Sequence, residues 1–275
     1  MEIGPSLTQV VAHRGANEDE PEHSLAAYLQ ALQDGADAIE CDVRLTGDGT
    51  LVCVHDRRID RTSSGRGAVS VMSLDQLHHH DFSAAHRSWW DFEDPSPDET
   101  RTRLLTLRTL LATMLDASPR VAFAIETKHP VRYAGYVERA LIEVLDYFGL
   151  SRPKSMADSR VRVMSFSRIA LRRVHRLAPR LPTVLLMERI WPWQAAGSLP
   201  PRVPIAGISI ASLLRNPDYP ERVRARGGDV HVWTVDSPEE VQACLRAGVG
   251  AIISNRPAMV RGLLHATWDG VLPRG

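Results

Sequence analysis

The sequence predicts an α/β protein folded as a (β/α)8 TIM barrel, with one added β-hairpin strand and an inserted lid segment. Short apolar runs alternate with longer amphipathic runs along the chain, which implies βαβ units and a parallel sheet. One connection between two apolar runs is too short for a parallel crossover, so we expect a hairpin there. A closed α/β barrel takes about 250 residues, and residues 1–275 are therefore expected to form a single barrel domain.

Nine runs have the length and composition of strands, at residues 9–13, 38–43, 51–55, 121–127, 161–166, 183–187, 205–210, 230–235 and 251–254. Apolar residues at helical spacing lie between them, at residues 24–34, 107–116, 136–148, 168–177, 219–226 and 238–247. The last of these helices has well-marked ends. Ser237 is a good N-cap, Pro238 suits the first turn and Gly248 suits the C-terminus.

The loop at residues 46–50 accounts for the ninth strand. Asp-Gly is a strong two-residue turn signal, so Asp48 and Gly49 are expected to close a tight hairpin. That turn places Asp42 opposite His55. The returning strand is then antiparallel, and eight parallel strands remain for the barrel.

Residues 57–105 fit neither pattern, and we interpret them as an insertion or lid within the barrel. Between its polar, turn-rich ends lie three consecutive histidines at 78–80 and the pair Trp89 and Trp90. Neighbouring side chains on a helix point in different directions, so the histidines are expected to be solvated rather than to share one metal ion. The tryptophans are expected either to contact a lipid or a partner, or to pack under the lid.

Composition and charge exclude several classes of protein. The 33 Lys and Arg balance the 33 Asp and Glu, which argues against nucleic-acid binding. No apolar run approaches the roughly 20 residues of a membrane span, so no stable membrane insertion is expected. Residues 1–9 lack the pattern of a signal peptide. We therefore expect a cytoplasmic protein, and the sequence sets no oligomeric state.

The cysteines support the same compartment. Cys41, Cys53 and Cys244 show no CxxC spacing and are expected to be reduced thiols. The predicted hairpin turns Cys41 and Cys53 to opposite faces, so a disulfide between them is not expected.

Carboxylates cluster at predicted strand ends. Side chains two residues apart on a strand share a face, so Glu40 and Asp42 point the same way. Glu126 ends a neighbouring strand, and the carboxyl ends of barrel strands meet at one mouth. Three carboxylates at one mouth repel each other unless a cation lies between them, and oxygen ligands favour Mg²⁺ or Ca²⁺. Pairing with arginines is the alternative for any one of these acids.

Basic and titratable residues lie beside the acids. His13 and His55 end different strands, and two histidines flanking a substrate can act as general base and general acid. Arg14 and Lys128 add two positive charges next to the expected cation. This combination suits a phosphate group, whose charge is stabilised electrostatically during phosphoryl transfer.

Seven short motifs carry these residues in order: His13-Arg14-Gly15, Pro21-Glu22-His23-Ser24, Glu40-Cys41-Asp42, His55-Asp56, Glu126-Thr127-Lys128, Ser165-Phe166 and Val232-Trp233-Thr234-Val235. In this order and spacing they resemble the glycerophosphodiester phosphodiesterase family over roughly residues 9–260. The resemblance implies a barrel, a divalent cation, and the cleavage of a small glycerophosphodiester into glycerol 3-phosphate and an alcohol. It implies metal ligands at Glu40, Asp42 and Glu126, catalytic histidines at His13 and His55, phosphate contacts at Arg14 and Lys128, and a pocket-wall aromatic at Trp233.

Residue 23 and residues 254–255 depart from the family's motifs. His23 stands where many members have asparagine, which is expected to alter a polar contact near the site. Ser254 and Asn255 stand at the end of the last strand, where many members have Thr-Asp or Thr-Asn, and this end is expected to matter little for catalysis.

The residues and the resemblance together predict metal-dependent hydrolysis by two histidines. The sequence does not decide which histidine is the base, nor whether water or the glycerol hydroxyl attacks. A lysophospholipase D-like enzyme, or a phospholipase releasing a cyclic phosphate, would use the same residues beside an apolar groove. A barrel that binds a phospho-ligand without catalysis is a further alternative. The first strand lacks the His-x-His of a zinc amidohydrolase, and a glycosidase would leave Arg14 and Lys128 unexplained.

Overall fold

A closed parallel barrel forms the centre of the protein, as seen in a computed structural model that describes residues 8–84 and 98–268. The parallel strands are β1 (Gln9–Ala12), β2 (Ala38–Leu45), β4 (Ala122–Thr127), β5 (Val161–Ser165), β6 (Thr183–Met187), β7 (Ile205–Ser209), β8 (Asp229–Trp233) and β9 (Ala251–Ser254). Strand β1 pairs with both β2 and β9, which closes the ring. The predicted TIM-barrel class is confirmed.

Helices surround the barrel between successive strands. They are α1 (Leu25–Gln33), α2 (Leu74–His78), α3 (Glu99–Thr102), α4 (Leu107–Ala117), α5 (Tyr136–Tyr147), α6 (Arg168–Leu177), α7 (Ile210–Arg215), α8 (Tyr219–Arg224), α9 (Pro238–Ala247) and α10 (Pro257–Trp268). The bounds of α6 and α9 match their predicted ranges. Ser237 caps α9 as predicted, and Gly248 ends it in the left-handed conformation. The sequence missed α7, which begins directly after β7 and leaves no loop to signal a change of element.

Along each strand, every second side chain points into the barrel, and these inward-facing residues lead from the apolar interior to the barrel mouth. Ala38 on β2 and Ala124 on β4 belong to the apolar cluster that fills the barrel. Two residues later on the same strands, the inward face becomes acidic at Glu40 and Glu126, and Asp42 follows on β2. Larger apolar clusters fill the space between the outer face of the sheet and the helices.

The hairpin differs from its prediction by one residue. Strand β3 (Leu51–Cys53) pairs with β2 through Val43 opposite Cys53, and Thr46 N donates to Thr50 O. The loop therefore has three residues, and Gly49 supplies the left-handed conformation with φ 88°. Asp42 consequently lies opposite Val54, whose N–H donates to Asp42 O, and not opposite His55.

The same shift corrects the predicted placement of the two hairpin cysteines. Cys53 shares the outer face with Cys41, and both thiols pack in the apolar cluster under the helices. They are free, as is Cys244.

The described part of the insertion at 57–105 forms a small apolar cluster together with the hairpin. This part contains a 3₁₀ turn at Val69–Val71, together with α2 and α3. Ile59, Val69 and Leu77 pack with Val52 of β3 and with Val54, which follows it. Trp89 and Trp90 lie outside the described residues. The single-domain division and the lid remain predictions.

No described helix combines the length and the apolar character needed to cross a bilayer.

Candidate active site

A cavity of about 300 Å³ opens at the carboxyl ends of the barrel strands. Seven of the eight residues predicted for the site line it: His13, Arg14, Glu40, His55, Glu126, Lys128 and Trp233. The eighth, Asp42, lies buried beside them. The remaining lining residues are Met164, Phe166, Leu186, Glu188, Thr234 and Ile253.

The three predicted metal ligands form one compact group. Asp42 on β2 is the register partner of Glu126 on β4, and Glu40 shares the inward face of β2. Glu40, Asp42 and Glu126 each offer an oxygen within 4.8 Å of the others, and all three are buried. Among the residues that the structure describes, this is the one group of side chains arranged to hold a cation.

The electrostatics of this group are unfavourable for three ionised acids. Burial, followed by the charge of Asp42, raises the pKa of Glu40 well above its ordinary value. The same two causes raise the pKa of Glu126 to about 8. Burial alone would also raise the pKa of Asp42. The hydrogen bond from His23 and the charges of Lys128 and Arg14 outweigh burial and hold the pKa of Asp42 well below its ordinary value.

A divalent cation fits this donor set. Carboxylate oxygens are the hard ligands preferred by Mg²⁺ and Ca²⁺, and a cation would favour the ionised forms of Glu40 and Glu126 that burial disfavours. The chain's own cations neutralise only part of the charge. Lys128 Nζ lies 2.9 Å from Glu126 Oε1 and 3.2 Å from Asp42 Oδ1.

His13 follows β1 and presents one ring nitrogen to the cavity. Its Nδ1 lies 2.7 Å from Asn255 Oδ1, and the amide group of Asn255 is oriented by a 2.7 Å bond from Nδ2 to Asp236 Oδ2. Because an amide oxygen can only accept, Nδ1 carries the proton and Nε2 remains for chemistry. Burial, followed by the charge of Arg14, lowers the pKa of His13 to about 4.

His55 is oriented in the same way by an acid. Its Nδ1 lies 2.6 Å from Asp56 Oδ1, which again leaves Nε2 for the cavity. Burial lowers the pKa of His55 below its ordinary value, and the charges of Arg14 and Lys128 act in the same direction.

Arg14 lies in a tight turn that joins β1 to the next loop. Its backbone is left-handed, with φ 58°, and its N–H donates to Glu40 Oε2 at 3.0 Å. Its guanidinium lies 3.1 Å from Asp42 Oδ2 and 3.3 Å from Glu22 Oε2. Gly15 follows with φ 87°, and a Cβ atom there would lie 2.6 Å from the Cβ of Ala27. Glycine is therefore needed for α1 to approach this turn.

Apolar side chains form the wall opposite the acids. Phe166 and Trp233 meet edge to face with ring centroids 5.7 Å apart. Trp191 and Trp193 follow β6 at the same end of the barrel and stack at 5.2 Å with most of their surfaces exposed. Trp233 therefore lines the cavity beside Phe166, and its role at the pocket wall stays a prediction.

Two polar residues that the sequence analysis left out of the site contact it directly. His23 is buried, with Nε2 3.1 Å from Asp42 Oδ2 and Nδ1 2.8 Å from the Tyr28 hydroxyl. Asn255 bonds to His13, and the expectation that this strand end matters little for catalysis stays a prediction. The departures from the family's motifs at these two positions were the signal that could have found them.

Known proteins match this chain along most of its length. The sequence model described as "Glycerophosphoryl diester phosphodiesterase family" matches residues 13–259. A Mycobacterium tuberculosis protein named "Probable glycerophosphodiester phosphodiesterase 1" is 45% identical over 256 residues, 93% of this chain and 92% of its own. A glycerophosphodiester phosphodiesterase of Caldanaerobacter subterraneus is 31% identical and covers 94% of this chain and 98% of its own.

Solved structures share the fold. An Oleispira antarctica phosphodiesterase, in complex with the product sn-glycerol-3-phosphate, superposes with a TM-score of 0.78 at 23% identity, over 94% of this chain and 97% of its own. At that identity the likeness supports the same barrel architecture.

Proposed function

The chain belongs to the glycerophosphoryl diester phosphodiesterase family, and from that membership we infer that it hydrolyses glycerophosphodiesters to glycerol 3-phosphate and an alcohol. The observation that carries this inference is the buried group of Glu40, Asp42 and Glu126 at a cavity that two oriented histidines line. Acids for a cation, cations for a phosphate and two imidazoles for proton transfer are the parts that phosphodiester hydrolysis requires.

We propose that Glu40, Asp42 and Glu126 hold Mg²⁺ or Ca²⁺, which supplies charge stabilisation at the phosphate oxygens when bound. Arg14 and Lys128, which pair with the carboxylates in the free protein, also bind the same phosphate and neutralise part of its charge. The hydrogen bonds at Nδ1 leave Nε2 of His13 and of His55 facing the substrate.

His13 is the better base of the two. Burial, followed by the charge of Arg14, disfavours its protonated form, so His13 is neutral and ready to accept the proton of water or of the glycerol hydroxyl. His55 is the better acid of the two, because the Asp56 carboxylate opposes the lowering of its pKa by burial, whereas Nδ1 of His13 bonds to a neutral amide. Nε2 of His55 then delivers the proton to the departing alkoxide.

His13→Ala and His55→Ala test the roles. Each is expected to reduce the turnover of glycerophosphocholine by about 10²–10⁴-fold, with an unchanged circular dichroism spectrum. A diester with a p-nitrophenol leaving group separates them, because that group departs without a proton. His55→Ala should recover activity on it, whereas His13→Ala should not. Near-normal turnover in either variant on glycerophosphocholine would remove that histidine from the mechanism.

A lysophospholipid is a second candidate substrate, favoured by the exposed aromatic side chains at the mouth. Phe166 is 48% exposed, and Trp191 and Trp193 are 54% and 65% exposed. Comparing the turnover of glycerophosphocholine with that of lysophosphatidylcholine decides between the two. If the protein hydrolyses neither substrate but still binds them, a barrel that binds a phospho-ligand without catalysis would be favoured instead.

We also propose a cytoplasmic location for the enzyme. The three buried cysteines are unpaired, which fits a reducing compartment.

A further inference from the structure

Arg61 lies in the insertion but bonds to two acids beside the active site. Its Nε donates to Asp56 Oδ2 at 2.6 Å, and its Nη atoms donate to Glu22 at 2.9 and 2.7 Å. These bonds need several donors at fixed angles, which the planar guanidinium provides and an ammonium group does not. Arg61 therefore fastens the loop after β1 to the loop after β3.

Each of the two acids also contacts a residue of the proposed mechanism. Asp56 uses its other oxygen for His55 Nδ1, at 2.6 Å. Glu22 Oε2 lies 3.3 Å from Arg14 Nη1. A continuous set of charged hydrogen bonds thus runs from His55 through Arg61 to Arg14.

We propose that Arg61 is a positioning residue that acts through Asp56 on His55 and through Glu22 on Arg14. This rests on the roles of His55 and Arg14 in the proposed function. Asp56 can hold His55 in one ring orientation only if its own carboxylate is fixed, and Arg61 fixes the carboxylate on the side away from the imidazole. Glu22 holds the guanidinium of Arg14 in the same manner.

The effect of losing Arg61 on turnover, compared with its effect on stability, distinguishes a positioning role from a structural one. The Arg61 side chain is 49% exposed, and exposed ion pairs contribute little to the stability of a fold. Displacing a catalytic group by about 1 Å can reduce turnover by about 100-fold. Loss of Arg61 should therefore reduce activity much more than it lowers stability.

Arg58 and Arg101 provide matched controls. Arg58 lies in the same segment and forms an ion pair of similar geometry, but with Asp60. Arg101 docks the far end of the insertion on Glu20 at 3.0 Å. Replacing either one removes a charge or a docking contact while leaving Asp56 and Glu22 in place.

The experiment compares Arg61→Ala and Arg61→Lys with Arg58→Ala and Arg101→Ala, using glycerophosphocholine with Mg²⁺ or Ca²⁺. Both Arg61 variants are expected to reduce kcat by about 10–100-fold, with thermal midpoints near that of the wild type. Both controls should stay within about twofold. Asp56→Asn should mainly lower kcat, and Glu22→Gln should mainly raise KM.

A double-mutant cycle tests the route through Asp56. If Arg61 acts through this acid, Arg61→Ala added to Asp56→Asn lowers kcat by less than about threefold. Multiplying effects would overturn that route. His55→Ala is measured in parallel: if it is inactive while both Arg61 variants match the controls, the positioning role alone is wrong. Near-normal turnover in His55→Ala would instead contradict the proposed function.

Discussion

The buried acid Glu126 offers a way to measure the binding of the cation. Its pKa of about 8, raised by burial and by Asp42, means that much of it is protonated at neutral pH without a bound cation. Glu126→Gln replaces one of the three carboxylates by a neutral amide of similar size, whose oxygen is a weaker ligand for a divalent cation. The unliganded fold should tolerate this change, whereas the affinity for the cation should fall.

Thermal unfolding with EDTA, Mg²⁺ or Ca²⁺ measures this effect without an activity assay. A cation at about 100 times its Kd stabilises the wild type by about 2.7 kcal/mol, so the thermal midpoint should rise by several degrees. Glu126→Gln should lose this rise. Glu188→Gln changes another acid that lines the cavity and should keep it. An equal rise in both variants would place the cation elsewhere.

The placement of the acids could be predicted from sequence because it depends only on strand alternation. Glu40 and Asp42 share a face at a spacing of two, whatever the details of the loops. His23 and Asn255 could not be placed in this way. Their contacts with Asp42 and His13 depend on the conformation of two loops, and sequence spacing does not determine the path of a loop.

At the scale of elements, the hairpin shows how far a turn signal reaches. The Asp-Gly dipeptide predicted a hairpin, but not whether the loop has two or three residues. Because the side-chain period of a strand is two, that one-residue difference reversed the predicted face of Cys53. The Cys53 thiol behaves as a small apolar group and packs with Leu51 on the outer face. The observed register is favoured because it buries both side chains.

The two glycines with φ near 87° give a prediction about these turns. Gly15 and Gly49 have φ 87° and 88°, but a Cβ at Gly15 meets Ala27 at 2.6 Å while one at Gly49 meets nothing within 4 Å. Gly49→Ala should cost only the left-handed backbone penalty of about 1–2 kcal/mol. Gly15→Ala adds a clash with the backbone of α1 and should lower the free energy of unfolding by at least twice as much.

Urea unfolding of both variants measures the difference. Gly49→Ala is the matched control, since it carries the same substitution at nearly the same φ. Equal losses in the two variants would show that α1 moves away at little cost, and that Gly15 is not required for its close approach.

At the scale of the whole molecule, the barrel was predictable and the insertion was not. Eight parallel strands follow from the alternation of apolar and amphipathic runs, which repeats along the chain. In the described part of the segment at 57–105 the elements are short and the apolar residues pack with the hairpin. Its sequence therefore shows no regular apolar period. Arg61, which joins this segment to the site, cannot be distinguished by sequence from the other arginines nearby.

Two basic side chains, Arg162 and His231, are buried at the amino end of the barrel interior. Arg162 on β5 donates to Gln9 Oε1 at 2.7 Å, while its Nε and one Nη have no hydrogen-bond partner among the described residues. His231 on β8 lies 3.7 Å from Asp229 and is 3% exposed. Burial, followed by the charge of Arg162, lowers the pKa of His231 to about 4.

This shift predicts how global stability depends on pH. A histidine titrates near 6.5 in the unfolded chain, so the folded state, with its pKa near 4, binds the proton less well. The stability that neutral His231 contributes is complete above pH 6.5 and is lost as the pH falls towards 4. His231→Gln removes this term at the cost of some packing. In urea unfolding, the wild type should exceed the variant most at pH 7.5, and the difference should shrink by on the order of 2–4 kcal/mol by pH 4. Parallel stability curves across this range would show that His231 titrates alike in both states.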